Sequence, residues 1–184
     1  MEPSDVILQR WIEICKDDKF TEVNEYIDNL DYDETYFKQM LVIACEYDAS
    51  LVFMKMLEFD SFNELFPDID FMECAVHNGS KYIVIYLSQD SRVDVTRNIR
   101  EHLDYISSVL QMENKEGLTK SDFAMYKYKL EEILKLFVKD NRIINEVGES
   151  YVSYLINKHK LRFPEPKDGR CRHGRGNCEK RGPR

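Results

Sequence analysis

Long apolar runs are absent from this chain. No stretch approaches the roughly 18 apolar residues that a membrane-spanning helix needs, and the opening MEPSDVILQRW has neither the basic start nor the apolar stretch of a secretory leader. These absences lead us to expect an intracellular protein, cytoplasmic rather than nuclear, with no membrane partner. An even, evenly distributed set of cysteines is missing as well. Of the five, Cys15, Cys45 and Cys74 fall within apolar helical patterns, and Cys171 and Cys178 lie in a Gly/Arg-rich end. That distribution offers no disulfide framework, and reduced thiols are expected. Nor is there a phosphate-cradling glycine loop, a protein-kinase motif set, a nucleophile elbow or a His-Glu-x-x-His pair. No enzymatic activity and no cofactor is therefore expected, and no residue is assigned a catalytic, cofactor-binding or metal-binding role.

What the chain does have is enough apolar content to build a core. Its 184 residues are 43% apolar and include ten Phe and eleven Tyr, which places it among globular proteins and leaves room for one domain and a tail. The net charge of −8 conceals an asymmetry: residues 158–184 hold ten Lys/Arg against three Asp/Glu, leaving sixteen against thirty-one in residues 1–157. A body that acidic repels phosphate backbones, so any affinity for nucleic acid would have to come from the basic tail.

Three segments superpose on one another: WIEICKDDKFTEVNEYI (11–27), MLVIACEYDASLVFMKM (40–56) and FMECAVHNGSKYIVIYL (71–87). Each has an apolar residue second (Ile12, Leu41, Met72), a small one three later (Cys15, Ala44, Ala75), then a turn-tolerant site and a second apolar stripe. The stripes are Val23 with Ile27, Val52 with Met56 and Ile83 with Leu87, and the alignment sets the segments 29 and 31 residues apart. The spacing predicts a helix pair in each segment, with the small residue admitting a neighbouring helix and the stripe facing one side. Gly79 would end its helix in the left-handed region without Cβ strain, whereas Asp48 and Lys19, aligned with it, would tolerate that region progressively less well. No unit this small buries its own stripe, so the units must stack.

The third segment resembles an ankyrin repeat. Ala75, Gly79, the Ile83-Val84 pair and Leu87 fall where that family places its Ala, Gly, apolar pair and Leu, and the first two segments resemble it more loosely. The family's Thr-Pro-Leu-His opening survives only as the apolar position, with Asp70, Phe71, Met72 and Glu73 in its place. The resemblance covers about residues 8–98. A bias toward Asp, Glu, Asn, Lys, Ile and Tyr, with only seven Gly and five Pro, is similar to that of the ankyrin-repeat proteins of large DNA viruses. What it implies is an all-α fold, a short ankyrin-like helical solenoid over residues 1–98.

Beyond residue 98 the repeat register is lost. SDFAMYKYKLEEILKLFVKDN (121–141) sets Phe123, Tyr126, Leu130, Ile133 and Phe137 at steps of three and four, which predicts an amphipathic helix opened by Ser121 or by a Thr119–Asp122 capping pattern. ESYVSYLINKH (149–159), preceded by Gly148, predicts a further helix, either a cap or the second helix of another degenerate unit. Residues 99–160 are thus expected to pack as C-terminal helices on the stack. Residues 161–184, with almost nothing apolar after Pro164, are expected to be a flexible, disordered basic tail.

The remaining constellations are sparse. Cys171, His173 and Cys178 offer thiolate and imidazole ligands, but only three, in no finger or ribbon spacing, so no zinc site is expected unless a residue such as His159 were recruited. Cys15, Cys45 and Cys74 recur near the repeat interval in neighbouring columns of the small-residue position and are read as small core residues. His77 has no nucleophile tied to it. Acidic residues cluster in DNLDYDETY and EFDSFNELFPDID among Tyr32, Tyr36, Phe37, Phe59, Phe62 and Phe66, a composition that suits a binding edge as well as a solvated loop. The expected function is non-enzymatic binding of another protein through that edge and the concave face. The alternative is association with nucleic acid through the tail.

Overall fold

The computed structural model describes residues 3–28, 34–59 and 70–163, and every regular element in them is helical. The helices are α1 (Pro3–Lys16), α2 (Val23–Asp28), α3 (Glu34–Glu46), α4 (Ser50–Met56), α5 (Phe71–Asn78), α6 (Lys81–Gln89), α7 (Ile99–Gln111), α8 (Lys120–Phe137), α9 (Asn141–Val147) and α10 (Glu149–His159). A 3-10 turn, Phe20–Glu22, leads into α2. No described helix is long and apolar enough to cross a membrane.

The helices stand in two rows. α1, α3, α5 and α7 touch in succession, α2, α4, α6 and α8 form the second row, and the pairs α3/α4, α5/α6 and α7/α8 bridge the rows. α9 and α10 pack on each other and on α7, which closes that end. One continuous core runs between the rows. The stripes Val23, Ile27, Val52, Met56, Ile83 and Leu87 are completely buried in it, joined by Trp11, Phe53 and Leu103. In α8 the predicted stripe is on the core side: Phe123, Leu130, Ile133 and Phe137 are buried and Tyr126 half-buried. Local chemistry starts the helices, since Asp70 accepts the Glu73 amide at 2.8 Å, Thr119 the Asp122 amide at 3.1 Å and Asp140 the Arg142 amide at 2.9 Å.

The first helix pair departs from the predicted register. The turns close with equivalent bonds, from Lys19 N to Ile14 O at 2.9 Å, Ala49 N to Ala44 O at 2.9 Å and Ser80 N to Ala75 O at 2.8 Å. Ile14, not Cys15, is therefore the counterpart of Ala44 and Ala75, and Cys15 shares a column with Cys45. The second helices keep the predicted spacing. The extra residue of the first pair is taken up by the 3-10 turn at Phe20–Glu22. The left-handed residue moves accordingly: it is Asp18 (φ 48°), Asp48 (φ 52°) and Gly79 (φ 69°), while Lys19 has φ −80°. Lys19 carries no left-handed strain for a glycine to relieve.

These left-handed residues tie successive pairs together. The Asp18 carboxylate accepts the amides of Val52 at 3.0 Å and Leu51 at 3.3 Å, capping the first turn of α4 from the preceding unit. Asp48 faces the Tyr82 and Ile83 amides of α6 in the same way. Burial raises the Asp48 carboxyl above its usual range against the opposing pull of Lys129 and those amides, and its Oδ1 is buried without a hydrogen-bond partner. At the third turn α8 comes too close for a side chain. A Cβ on Gly79 would lie 3.3 Å from Lys129 Cβ and from the Tyr126 ring, and the Tyr126 hydroxyl takes over the tie by donating to His77 O at 2.6 Å.

Gly148 (φ 89°) joins α9 to α10 as the two halves of a short helix pair. Beyond α10, Leu161 is buried and Lys139 Nζ lies 4.5 Å from the Phe163 ring centre, so residues 161–163 pack on the core. The remainder of the basic tail, with Cys171, His173 and Cys178, lies outside the described residues.

Candidate binding surface

In α1, α3 and α5 the side of each helix turned away from the core presents equivalent positions one turn apart. One column is Ile12, Val42 and Glu73, and the next is Lys16, Glu46 and His77, with half-buried Ile43 and Cys74 beside them. Val42 is 43% exposed and Tyr47, following Glu46, is 41% exposed. Lys16 Nζ sits 5.7 Å from the Tyr47 ring centre and steadies it. On α7 the Tyr105 ring continues the surface, its centroid 4.0 Å from that of His77, and its hydroxyl bonds the Tyr126 hydroxyl at 2.7 Å. The result is a row of rigid helices carrying exposed apolar groups among carboxylates.

His77, the one histidine weighed as a base, has its imidazole 4.0 Å from Glu73 and against Tyr105. Burial pushes its pKa down, and the nearby Glu73 only partly opposes this, so the ring is neutral at pH 7. No serine, threonine or cysteine is hydrogen-bonded to it among the described contacts.

At the head of α5, Asp70 accepts from Asn98 Nδ2 at 3.1 Å as well as from the Glu73 amide, and the buried His102 Nε2 stands 3.7 Å away. Burial works to raise the Asp70 pKa and is the largest single influence. The combined bonding to His102, the Glu73 amide and Asn98 overcomes it and brings the carboxyl down from 3.8 to about 2. A carboxylate whose folded pKa is depressed adds stability that is complete above its unfolded pKa and is lost as pH falls through the folded one. The contribution should therefore disappear between about pH 4 and pH 2. Asp70→Asn, which keeps an N-cap oxygen, should cost on the order of 1 kcal/mol at pH 7, with the difference from wild type closing across that window in urea titrations at stepped pH.

The acidic, aromatic edge reads differently in three dimensions. Phe37 is 4% exposed and belongs to the core, which removes it from any binding edge, because α3 turns that position toward the second row. Tyr36 is half-buried, and Phe59 packs partly against the core. Tyr32, Phe62 and Phe66 lie outside the described residues. A second exposed strip escaped the sequence reading: Phe20, Leu51 and Tyr82, 45%, 42% and 57% exposed, follow the left-handed turn residues along the turn edge. Its signal was an apolar residue two or three positions after Asp18, Asp48 and Gly79.

One constellation in α7 and α10 also had no signature. Ser107 Oγ lies 2.9 Å from His159 Nε2 and accepts from Lys158 Nζ at 3.0 Å, beside a surface cleft of about 360 Å³ lined by Leu110, Ala124, Lys127, Tyr128, Glu131 and His159. Ser107 is only 4% exposed and both neighbours satisfy its hydroxyl. This is how a buried polar group is accommodated between packed helices. Among the described residues no group of three His, Cys, Asp or Glu side chains is placed to hold a metal ion.

No protein-family model matches the chain, and neither a curated protein nor a solved structure resembles it significantly.

Proposed function

We propose that this chain is a non-enzymatic protein-binding module, a divergent ankyrin-like stack that offers the outward side of α1, α3, α5 and α7 to a partner protein. The observation that carries this reading is the exposure of Val42 and Tyr47 in the middle of a helix row whose opposite side is completely buried. An apolar pair on a rigid support, ringed by Glu13, Glu46 and Glu73, has the make-up of an interface centre with a polar rim. Supporting the repeat reading are the three equivalent turn bonds and the left-handed residue recurring at Asp18, Asp48 and Gly79. A stack of this kind gains affinity from a large preformed surface and needs no pocket.

The test compares proteins captured from the source cells by the wild-type chain, by Val42→Asp/Tyr47→Ala, and by a chain ending at Phe163. Binding through the helix row predicts a partner lost by at least about tenfold with the double variant, the scale of removing an interface hot spot, and retained by the shortened chain. Residues 158–184 carry ten basic against three acidic side chains. If they direct the chain to nucleic acid instead, the shortened chain loses its ligand, the double variant keeps it, and capture weakens steeply with salt.

A further inference from the structure

Cys45 on α3 and Cys74 on α5 come from adjacent helices of the first row, and their thiols meet across the contact as hydrogen-bonding partners. Both are free thiols. Their surroundings differ in a way that assigns each a separate part. Cys45 is completely buried, whereas Cys74 is half-buried on the outward side between Glu73 and His77 of its own helix. Asn78 Nδ2 points at Cys74 Sγ from 3.8 Å while donating to Cys74 O at 3.0 Å, which holds the sulfur toward α3. Cys15, in the same column as Cys45 one unit earlier, is 1% exposed and has no outward-facing thiol next to it.

We propose that Cys45 and Cys74 form a reversible dithiol–disulfide site, oxidised by a peroxide, that staples α3 to α5. The step balances as follows. The Cys74 thiolate attacks one peroxide oxygen, the O–O bond breaks, and the departing hydroxide takes a proton and leaves as water. Cys74 is then a sulfenic acid. The Cys45 sulfur attacks the Cys74 sulfur, the S–O bond breaks, and the released hydroxide takes the Cys45 proton to form a second water. Two thiols have lost two electrons and two protons, and one peroxide has become two waters. The order follows from access, because only Cys74 reaches solvent, and the neighbouring thiol resolves the sulfenic acid before further oxygen is added. The bonding of Cys74 to Cys45 and Asn78 also favours its thiolate, lowering its pKa, while the same contact and burial keep Cys45 protonated until it reacts.

The experiment uses the full chain carrying Cys171→Ser and Cys178→Ser, so that tail thiols do not contribute. It is purified reduced, treated with hydrogen peroxide, and read by intact mass, by alkylation of remaining thiols, and by peptide mapping. The expected result is a loss of two hydrogens per chain, a single linked peptide pair containing Cys45 and Cys74, recovery with dithiothreitol, and a melting midpoint several degrees higher when oxidised. Cys45→Ala, a small replacement in the core, should remove the link and leave Cys74 to gain oxygen. The same mapping on the chain with Cys45 and Cys74 intact needs no core substitution and decides the matter if Cys45→Ala folds poorly. Gain of oxygen at Cys74 with Cys45 still alkylatable, a Cys15–Cys45 link, or both thiols remaining free under peroxide would each overturn the proposal.

Discussion

Trp11→Ala is expected to remove most of the protein's stability. The indole is completely buried, its ring centre lies 5.3 Å from that of Tyr26, and its Nε1 donates to Met40 O at 2.9 Å, so one side chain fills the core and ties α1 to α3. Large aromatic truncations in a core cost about 3–5 kcal/mol through lost transfer energy and the cavity left behind. Set against the roughly 5–15 kcal/mol total of an ordinary domain, that is enough to populate the unfolded chain at moderate temperature. Urea titration followed by far-ultraviolet circular dichroism measures it, since the sole tryptophan is lost as a fluorescence probe. Trp11→Phe is the control. It preserves most of the volume and removes the indole bond, so its cost should be smaller. If both variants stay within about 0.5 kcal/mol of wild type, as a surface change would, α1 is not part of the cooperative core.

Gly79→Val should be nearly as damaging, for two reasons that add. At φ 69° a β-branched side chain pays a backbone penalty of about 1–2 kcal/mol. Its Cβ would also press on Lys129 Cβ and the Tyr126 ring, both at 3.3 Å, and overpacking of this kind costs about 1–3 kcal/mol more. Lys129 Cβ is the root of its side chain, so the strain can be relieved only by moving α8 away from the turn. Such a shift would also loosen the Tyr126 bond to His77 O. Gly79→Ala should be intermediate. Thermal melts should order the three proteins Gly, Ala, Val from most to least stable. Equal midpoints would mean that α8 does not seat on the third turn.

The two variants probe what was differently legible. Gly79 was readable as a turn because a left-handed helix end selects its residue locally, and so were the Thr119 cap and the stripes of α4, α6 and α8, since a helix records its buried side in its own period. That α8 lies directly over Gly79 was not readable, because the contact joins residues about fifty positions apart with no shared local pattern. The first pair shows the same limit. Counting apolar columns placed Cys15 with Ala44 and the left-handed residue at Lys19, yet the turn bonds place Ile14 and Asp18 there. A one-residue shift rotates a helix position by about 100°. A 3-10 turn absorbs that shift without changing the composition of the segment.

The sequence alone determined an all-helical chain, the helix pairs of its first half, the amphipathic helices after residue 98 and the acidic character of the body, because each depends on periodicity, capping or summed charge along a continuous stretch. Tertiary structure decided which residues meet. It buried Phe37, brought Cys45 to Cys74, set Asp70 opposite His102 and left Val42 and Tyr47 exposed on a rigid row. The physical reason is that side-chain neighbours across helices depend on the rotation and spacing of elements remote in the chain, which packing of the whole core selects and no single segment encodes.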